Sequence, residues 1–145
     1  MTKSLAILGG AGAIGRAVTK AALSEKWHVT VLDLKKTVDQ YPVPEGANVK
    51  YIDLFDEKLM ASAVEALGNI DGFVNAAGFT SPMKPIQNTE LEEIKEVIQV
   101  NLIGAFEVTK LLLPKLKTNQ GAIVNIASGL AHYARPNFGP YSAAK

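Results

Sequence analysis

The sequence predicts an α/β fold built on a doubly wound parallel sheet of about five strands, in the order 3-2-1-4-5, with helices on both faces. Short apolar runs alternate with helical patterns along the 145 residues, as expected when each strand is followed by a right-handed helical crossover. Glycines and polar residues follow the ends of these runs, where such sheets bind ligands. The length and a hydrophobic content of 48% fit one domain, 1–145, with its own core.

A glycine-rich segment, Gly9–Gly15, follows the first apolar run, Leu5–Leu8, and precedes a helical pattern. Gly10, Gly12 and Gly15 satisfy the spacing G-x-G-x-x-G. In such a motif the glycines permit a tight turn, close approach of the backbone to a pyrophosphate and close packing of helix on strand. The N–H groups and dipole at the helix N-terminus favour anions. The segment therefore predicts a Rossmann-type unit that binds a dinucleotide.

The second strand, Val29–Leu32, ends at Asp33, eighteen residues after Gly15. A carboxylate there can accept hydrogen bonds from a ribose diol, and it would repel the 2′-phosphate of NADP. Lys35 and Lys36 follow closely enough to neutralise it if the loop folds back, although such a pair is more typical of a solvated turn. The sequence therefore predicts NAD, with NADP as the less favoured cofactor.

The middle of the chain predicts two further strands with a helix between them. Strand Val49–Ile52 ends at Asp53, and strand Gly72–Asn75 runs into the small residues Ala76–Gly78, which let a ligand or another backbone come close. Asp56 can cap the intervening helix. The predicted buried stripe of that helix is Leu59, Met60, Ala63, Val64 and Leu67.

A long helix is predicted to begin at Thr89, because Thr89 and Glu92 have the spacing of a capping box. Pro114 is expected to kink or end it. The predicted inner face is Leu91, Ile94, Ile98, Asn101, Ala105, Val108 and Leu112. The Asn101 amide on this face needs hydrogen-bond partners, so it is either a satisfied core group or part of a site.

The fifth strand, Ala122–Ile126, places Ser128 just past its end, thirteen positions before Tyr141. Tyr141 and Lys145 are four residues apart, so their side chains share one face of a helix. A fixed cation favours the phenolate of a tyrosine, whose free pKa is about 10. Taken alone, the pair is equally compatible with a helix surface that carries no chemistry.

Composition excludes several classes of function. A formal charge of +1, from 15 basic and 14 acidic residues, gives no basic surface for nucleic acid. The chain has no cysteine, and its two histidines, His28 and His132, are far apart, so we predict no disulfide and no metal site. No run approaches the roughly 18 apolar residues of a membrane span. We therefore expect a cytoplasmic protein without a membrane partner.

In order along the chain, these landmarks resemble the short-chain dehydrogenase/reductase family, in its single-domain branch. The resemblance covers essentially the whole chain and rests on the Gly9–Gly15 turn, Asp33, Asp53, Val74–Gly78, Asn101–Gly104, Asn125–Ser128 and Tyr141–Lys145. It implies an NAD(P)-dependent oxidoreductase that interconverts a secondary alcohol and a ketone by hydride transfer. Because Ser128 is not in G-x-S-x-G and no His and Asp follow it, acyl transfer is less favoured.

The resemblance also implies roles for individual residues. The implied catalytic set is Asn101, Ser128, Tyr141 and Lys145, with Ser128 bonding the substrate oxygen, Tyr141 exchanging its proton, Lys145 favouring the tyrosinate and binding the nicotinamide ribose, and Asn101 holding a helix distortion and a relay water. Asp53 and Leu54 would lie beside the adenine. The implied cofactor-binding set is Gly9, Gly10, Gly12, Ala13, Ile14, Gly15, Asp33, Asp53, Leu54, Asn75, Ala76, Ala77, Gly78, Tyr141 and Lys145.

Two departures from the family pattern leave alternatives open. Ala13 stands where the single-domain branch has glycine, which should tighten the turn slightly, and the spacing of Gly9, Gly12 and Gly15 fits the extended branch of nucleotide-sugar epimerases and dehydratases. Family members continue for about another hundred residues. Without them we expect a poorly fixed Lys145 and an exposed fifth strand that favours a homo-oligomer, dimer or tetramer. A binding module or a scaffold without turnover is the alternative to an enzyme.

Overall fold

The computed structural model describes residues 2–145 and confirms the predicted sheet. The five described strands are all parallel, in the order β3-β2-β1-β4-β5. The strands are β1 (Ser4–Leu8), β2 (His28–Asp33), β3 (Asn48–Tyr51), β4 (Gly72–Asn75) and β5 (Ala122–Asn125). The helices are α1 (Ala13–Ser24), α2 (Lys35–Gln40), α3 (Glu57–Glu65), α4 (Leu91–Ile98), a π-helical segment (Gln99–Ile103), α5 (Gly104–Thr118) and α6 (Gly139–Ala144), with short 3₁₀ turns at Ile86–Asn88 and Gly129–Ala131.

The side chains of the central strand, β1, alternate between two separate hydrophobic cores, one on each face of the sheet. Ala6 and Leu8 of β1 belong to the larger core, under α3 and α5, and the fully buried Phe73 of β4 joins them. Leu5 and Ile7 point to the opposite face, which is covered by residues of α1. Because both faces of the central strands are covered, these strands read as continuous apolar runs in the sequence.

Three local predictions, on a helix cap, on the burial of two leucines and on a turn, are wrong. The capping box is formed by Glu90 and Glu93, one residue later than predicted, because the Thr89 hydroxyl instead donates to the carbonyl of Pro85 at 3.1 Å. Leu91 (62%) and Leu59 (38%) are exposed, since Leu91 is the first residue of α4 and Leu59 faces a surface groove instead of the core. Lys35 and Lys36 begin α2 instead of forming a turn.

Pro114 does not end the long helix, which continues to Thr118. The missing N–H leaves the carbonyl of Lys110 without its helical donor. Both residues lie on the exposed side of the helix, so water can bind that carbonyl. The inner side of the same helix is buried at Val108, Leu112 and Leu116.

The helical run Leu91–Thr118 is long and apolar enough to cross a membrane by length and composition, with a mean hydropathy of 1.4 over an 18-residue window. Its buried residues Val108, Leu112 and Leu116 belong to the core above the sheet. Its outer side also carries exposed apolar residues, namely Leu102 (37%), Ile103 (42%), Phe106 (70%) and Leu113 (38%). The apolar composition therefore comes from two faces of one helix that lies on a parallel sheet.

The exposed fifth strand is present in the structure as the sequence predicted. All four residues of β5 are exposed, including Ile123 (36%) and Val124 (51%). Val124 pairs in register with Val74, which is 9% exposed. The apolar surface that is buried on β4 therefore continues uncovered on β5.

Candidate functional site

The glycine turn after β1 is shaped by how closely backbone segments approach one another. Gly9 has a φ of +73°, and a Cβ on it would lie 2.6 Å from the backbone of Ala77. A Cβ on Gly15 would lie 2.2 Å from the carbonyl oxygen of Gly9. A side chain at either position would therefore force the backbone of the turn to move.

The N-terminus of α1 has no side-chain cap. Gly12 precedes the helix and offers no side chain to the N–H groups of the first turn. Ala13 and Ile14 begin the helix with exposed side chains, Ile14 at 52%. The exposure of Ala13 gives no sign of the tightening expected from its methyl group. The open N–H groups and the helix dipole suit a phosphate.

The Asp33 carboxylate, only 9% exposed, joins the end of β2 to the glycine turn. One oxygen accepts a hydrogen bond from the N–H of Ala11 at 2.9 Å, and the other accepts one from the N–H of Leu34 at 2.8 Å. Each carboxylate oxygen has a second lone pair, so both can still accept from ribose hydroxyls. The ligand role of Asp33 stays a prediction, and its bond to the turn was not predicted from the sequence.

A groove of about 730 Å³ runs along the carboxyl ends of β3, β2, β1 and β4. Exposed Lys35 on its rim is already paired with Asp39 at 2.7 Å, and this bond raises the pKa of the lysine above its usual 10.5. At the β3 end Phe55, Leu59 and Val100 add apolar surface, which suits a flat aromatic base. Eight residues of the predicted cofactor set line the groove: Gly9, Gly12, Asp33, Asp53, Leu54, Ala76, Ala77 and Gly78.

The other predicted cofactor residues lie behind or beyond the groove lining. Gly10 packs on Val31, and Gly15 packs on the Gly9 carbonyl. Asn75 is 8% exposed; its Oδ1 accepts from the N–H of Ala77 at 3.2 Å, and its Nδ2 donates to Oδ1 of its neighbour in register, Asn125, at 3.3 Å. Asn75 therefore fixes the turn after β4. Asn125 was not among the predicted site residues, although its place opposite Asn75 follows from the strand order.

Asn101 lies in the π-helical segment and binds three backbone groups. Its Nδ2 donates to the carbonyls of Phe79 at 2.7 Å and Val97 at 2.8 Å, and its Oδ1 accepts from the N–H of Phe79 at 3.2 Å. The bond to Val97 uses a carbonyl four residues earlier, which an α-helix would bond through the backbone. Asn101 therefore holds the helix distortion and clamps the loop after β4.

Lys145 and Asn101 meet beside Gly78, at the β4 end of the groove. A Cβ on Gly78 would lie 3.4 Å from Oδ1 of Asn101 and 3.6 Å from Nζ of Lys145. Nζ of Lys145 donates to the carbonyl of Ile126 at 3.0 Å and lies 5.9 Å from the ring centroid of Tyr141. Burial lowers the pKa of Lys145 from its usual 10.5. The expectation of a poorly fixed Lys145 is therefore wrong, because a tertiary hydrogen bond holds it.

Ser128 lies two residues past Ile126, on the same strand end as the Lys145 contact. Its Oγ accepts from the N–H of Leu130 at 3.2 Å and caps the 3₁₀ turn Gly129–Ala131. The hydroxyl can still donate its own proton to a substrate oxygen. This turn packs against α6, which carries Tyr141.

Several known proteins are similar to this chain. Residues 3–145 match the family model described as short chain dehydrogenase. Carbonyl reductase family member 4 of Xenopus tropicalis is 32% identical over 152 residues, covering 100% of this chain and 64% of that protein. The 2-dehydro-3-deoxy-L-rhamnonate dehydrogenase (NAD(+)) of a Sphingomonas species is 30% identical over 146 residues, covering 96% of this chain and 59% of that protein.

Among solved structures, aldohexose dehydrogenase of Thermoplasma acidophilum, in ligand-free form, superposes with a TM-score of 0.88 at 24% identity. The match covers 99% of this chain and 56% of that one. The chain thus spans about half to two thirds of the length of the proteins that it resembles.

The close backbone approach at Gly15 predicts different results for alanine substitutions at two glycines. Gly15→Ala places a Cβ 2.2 Å from a backbone oxygen, and we expect a loss of about 1–3 kcal/mol in the free energy of unfolding and much weaker NADH binding. Gly68→Ala, at an exposed glycine outside the groove lining where an added Cβ would meet nothing within 4 Å, serves as the matched control. Thermal unfolding and NADH fluorescence titration measure both effects. Equal stability and affinity in the two variants would contradict this account of the turn.

Proposed function

The chain belongs to the short-chain dehydrogenase family, whose members are oxidoreductases, and we propose that it forms the dinucleotide-binding and catalytic part of an NAD(P)-dependent enzyme that interconverts a secondary alcohol and a ketone. The observation that carries the proposal is the continuity of the site. The groove begins at the apolar β3 end, passes the open N-terminus of α1 and reaches Gly78, where Asn101 and Lys145 meet.

The residues that are present fit a nicotinamide dinucleotide. Gly9 and Gly15 leave a cradle that a Cβ would fill, and the uncapped N–H groups of α1 suit a pyrophosphate. Asp33 would accept hydrogen bonds from the adenosine ribose, and Leu54 would lie against the adenine. A bound nicotinamide supplies the hydride acceptor or donor for the reaction.

The side chains at the β4 end of the groove would transfer the proton that accompanies the hydride. Tyr141 would give or take a proton at its phenolic oxygen, while Ser128 would donate a hydrogen bond to the substrate oxygen. Nζ of Lys145 lies 5.9 Å from the centroid of the Tyr141 ring, so these two side chains would act at the same end of the groove. Asn101 would keep the Phe79 loop in place beside these groups.

NAD is the cofactor that the groove favours. The Asp33 carboxylate is fixed by two backbone N–H groups and would face a 2′-phosphate with like charge. The ammonium of Lys35 already pairs with Asp39, which leaves Lys36 as the lysine on this rim without a described carboxylate partner. The Sphingomonas relative is named for NAD(+), which supports the same choice.

We propose a small alcohol or ketone as the substrate and a second copy of this chain as the partner. The two relatives are named for a carbonyl and a sugar-acid substrate. The outer side of the long helix carries Leu102, Phe106 and Leu113, at spacings of four and seven residues, which is one face of a helix. Such an exposed apolar face, together with the uncovered β5, favours association. A cytoplasmic location remains a prediction from composition.

Asp33→Ala tests the NAD preference. We expect the affinity for NADH to fall about tenfold, because hydrogen bonds to a charged group contribute roughly 1.5–3 kcal/mol. The affinity for NADPH should change less, since the substitution also removes the negative charge that would repel the 2′-phosphate of NADPH. Fluorescence titration with both cofactors measures the ratio, so that NADPH serves as the internal control. An unchanged preference would contradict the role of Asp33.

Tyr141→Phe tests the chemistry. We expect kcat for oxidation of secondary alcohols to fall by about 10²–10⁴, with NADH affinity within about twofold of the original protein, because only the phenolic oxygen is lost. Tyr41→Phe, at an exposed tyrosine on the far end of α2, is the matched control. Equal turnover in both variants would refute the acid/base role. NADH binding without turnover in the original protein would instead support a binding module.

Phe106→Lys tests the proposed partner. A charge at the centre of the outer apolar face should shift the protein from dimers or larger species toward monomers, as measured by sedimentation velocity. A protein concentration of tens of micromolar is chosen because an interface of standard size should be occupied there. Ala17→Lys makes the same charge change on the exposed side of α1 and should leave the assembly intact. If the original protein is itself a monomer under these conditions, the proposal of a second copy as partner is wrong.

A further inference from the structure

Gln99 connects the π-helical segment to the β3 end of the groove. Its Nε2 donates to the carbonyl of Leu54 at 2.7 Å, a bond between residues 45 positions apart. A Cβ on Gly104 would lie 2.9 Å from Cδ1 of Leu54, so the two segments are in direct contact there. Leu54 itself is 9% exposed and lines the groove.

The π-helical segment therefore holds loops at both ends of the groove. Gln99 bonds the loop after β3 through Leu54, while Asn101, two residues later, bonds the loop after β4 through both backbone groups of Phe79. A five-residue π turn widens the helix relative to α-helical geometry. Here the distortion falls where one stretch of helix bonds two separate loops.

At the start of the loop after β3, the N–H of Ile52 donates to the carbonyl of Asp33 at 3.0 Å, but beyond Ile52 the hydrogen bonds of the loop other than the Gln99 bond are local. The Asp53 side chain accepts from the N–H of Phe55 at 3.0 Å, and the Asp53 carbonyl accepts from the N–H of Asp56 at 3.1 Å. These bonds shape the turn but do not fix its distance from the opposite wall of the groove. The Gln99 bond does, and Val100, the next residue, lines that wall.

We propose that Gln99 is a positioning residue for the adenine end of the dinucleotide, acting through the carbonyl of Leu54. The proposal rests on the proposed function, because it takes the apolar β3 end of the groove as the adenine site. Gln99 sets the width of the slot between Leu54 and Val100. The nicotinamide end is set separately, by Asn101 and Lys145.

The test compares ligand fragments. Gln99→Met keeps the length of the side chain and removes the donor, and Gln99→Glu removes the donor while keeping the shape. In both variants we expect AMP and ADP-ribose to bind about five- to tenfold more weakly, the size of one hydrogen bond. Reduced nicotinamide mononucleotide, which lacks adenine, should bind within about twofold of the original protein. Gln87→Met, at an exposed position outside the groove lining, is the matched control.

The outcomes separate the inference from the function on which it rests. Binding of NADH by the original protein, with equal AMP affinity in the Gln99 variants, would overturn the positioning role and leave the proposed function standing. An equal loss for AMP and for the mononucleotide would also overturn it, because that pattern indicates general loosening of the fold. Failure of the original protein to bind NADH or any fragment would reject the proposed function and the inference together.

Discussion

The site depends on the contact between two backbone turns at the carboxyl ends of β1 and β4. The N–H of Gly9 donates to the carbonyl of Leu32 at 2.9 Å, and the turn lies so close to Ala77 that no side chain fits between them. In the order β3-β2-β1-β4-β5, β2 and β3 lie on one side of β1, and β4 and β5 lie on the other. The connections that leave the ends of β1 and β4 therefore run in opposite directions and leave between them the crevice that forms the groove.

Polar side chains at the strand ends and in the π-helical segment hold the walls of this groove. Asp33, Asp53, Asn75 and Asn101 each accept a hydrogen bond from a backbone N–H of a loop. Buried or half-buried loops would otherwise carry unpaired backbone groups, which are costly. The residues that were predicted from the sequence to bind a ligand thus also hold the loops in place. A site built this way is preorganised before any ligand binds.

The sequence predicted the features that depend on strand periodicity and on glycine, because both follow from backbone geometry. The sheet order and the exposed β5 are confirmed. The errors fall where tertiary contacts decide between local alternatives. Thr89 and Glu90 can both cap a helix, and Pro114 is tolerated because its side of the helix faces solvent. Gln99 gave no signal, since a glutamine beside an apolar stripe is ordinary in any surface helix.

Lys145 shows how tertiary contacts, in place of local helix stability, position a side chain at the β4 end of the groove. Helix α6 has six residues, and so short a helix is marginal by itself. Its position comes from contact with α4, the burial of Ala144 (6% exposed) and the bond from Lys145 to Ile126. Burial disfavours the charged lysine and lowers its pKa, whereas the hydrogen bond to the carbonyl of Ile126 favours the ammonium. The strand end that carries Ser128 therefore also supplies the hydrogen-bond acceptor that holds Lys145.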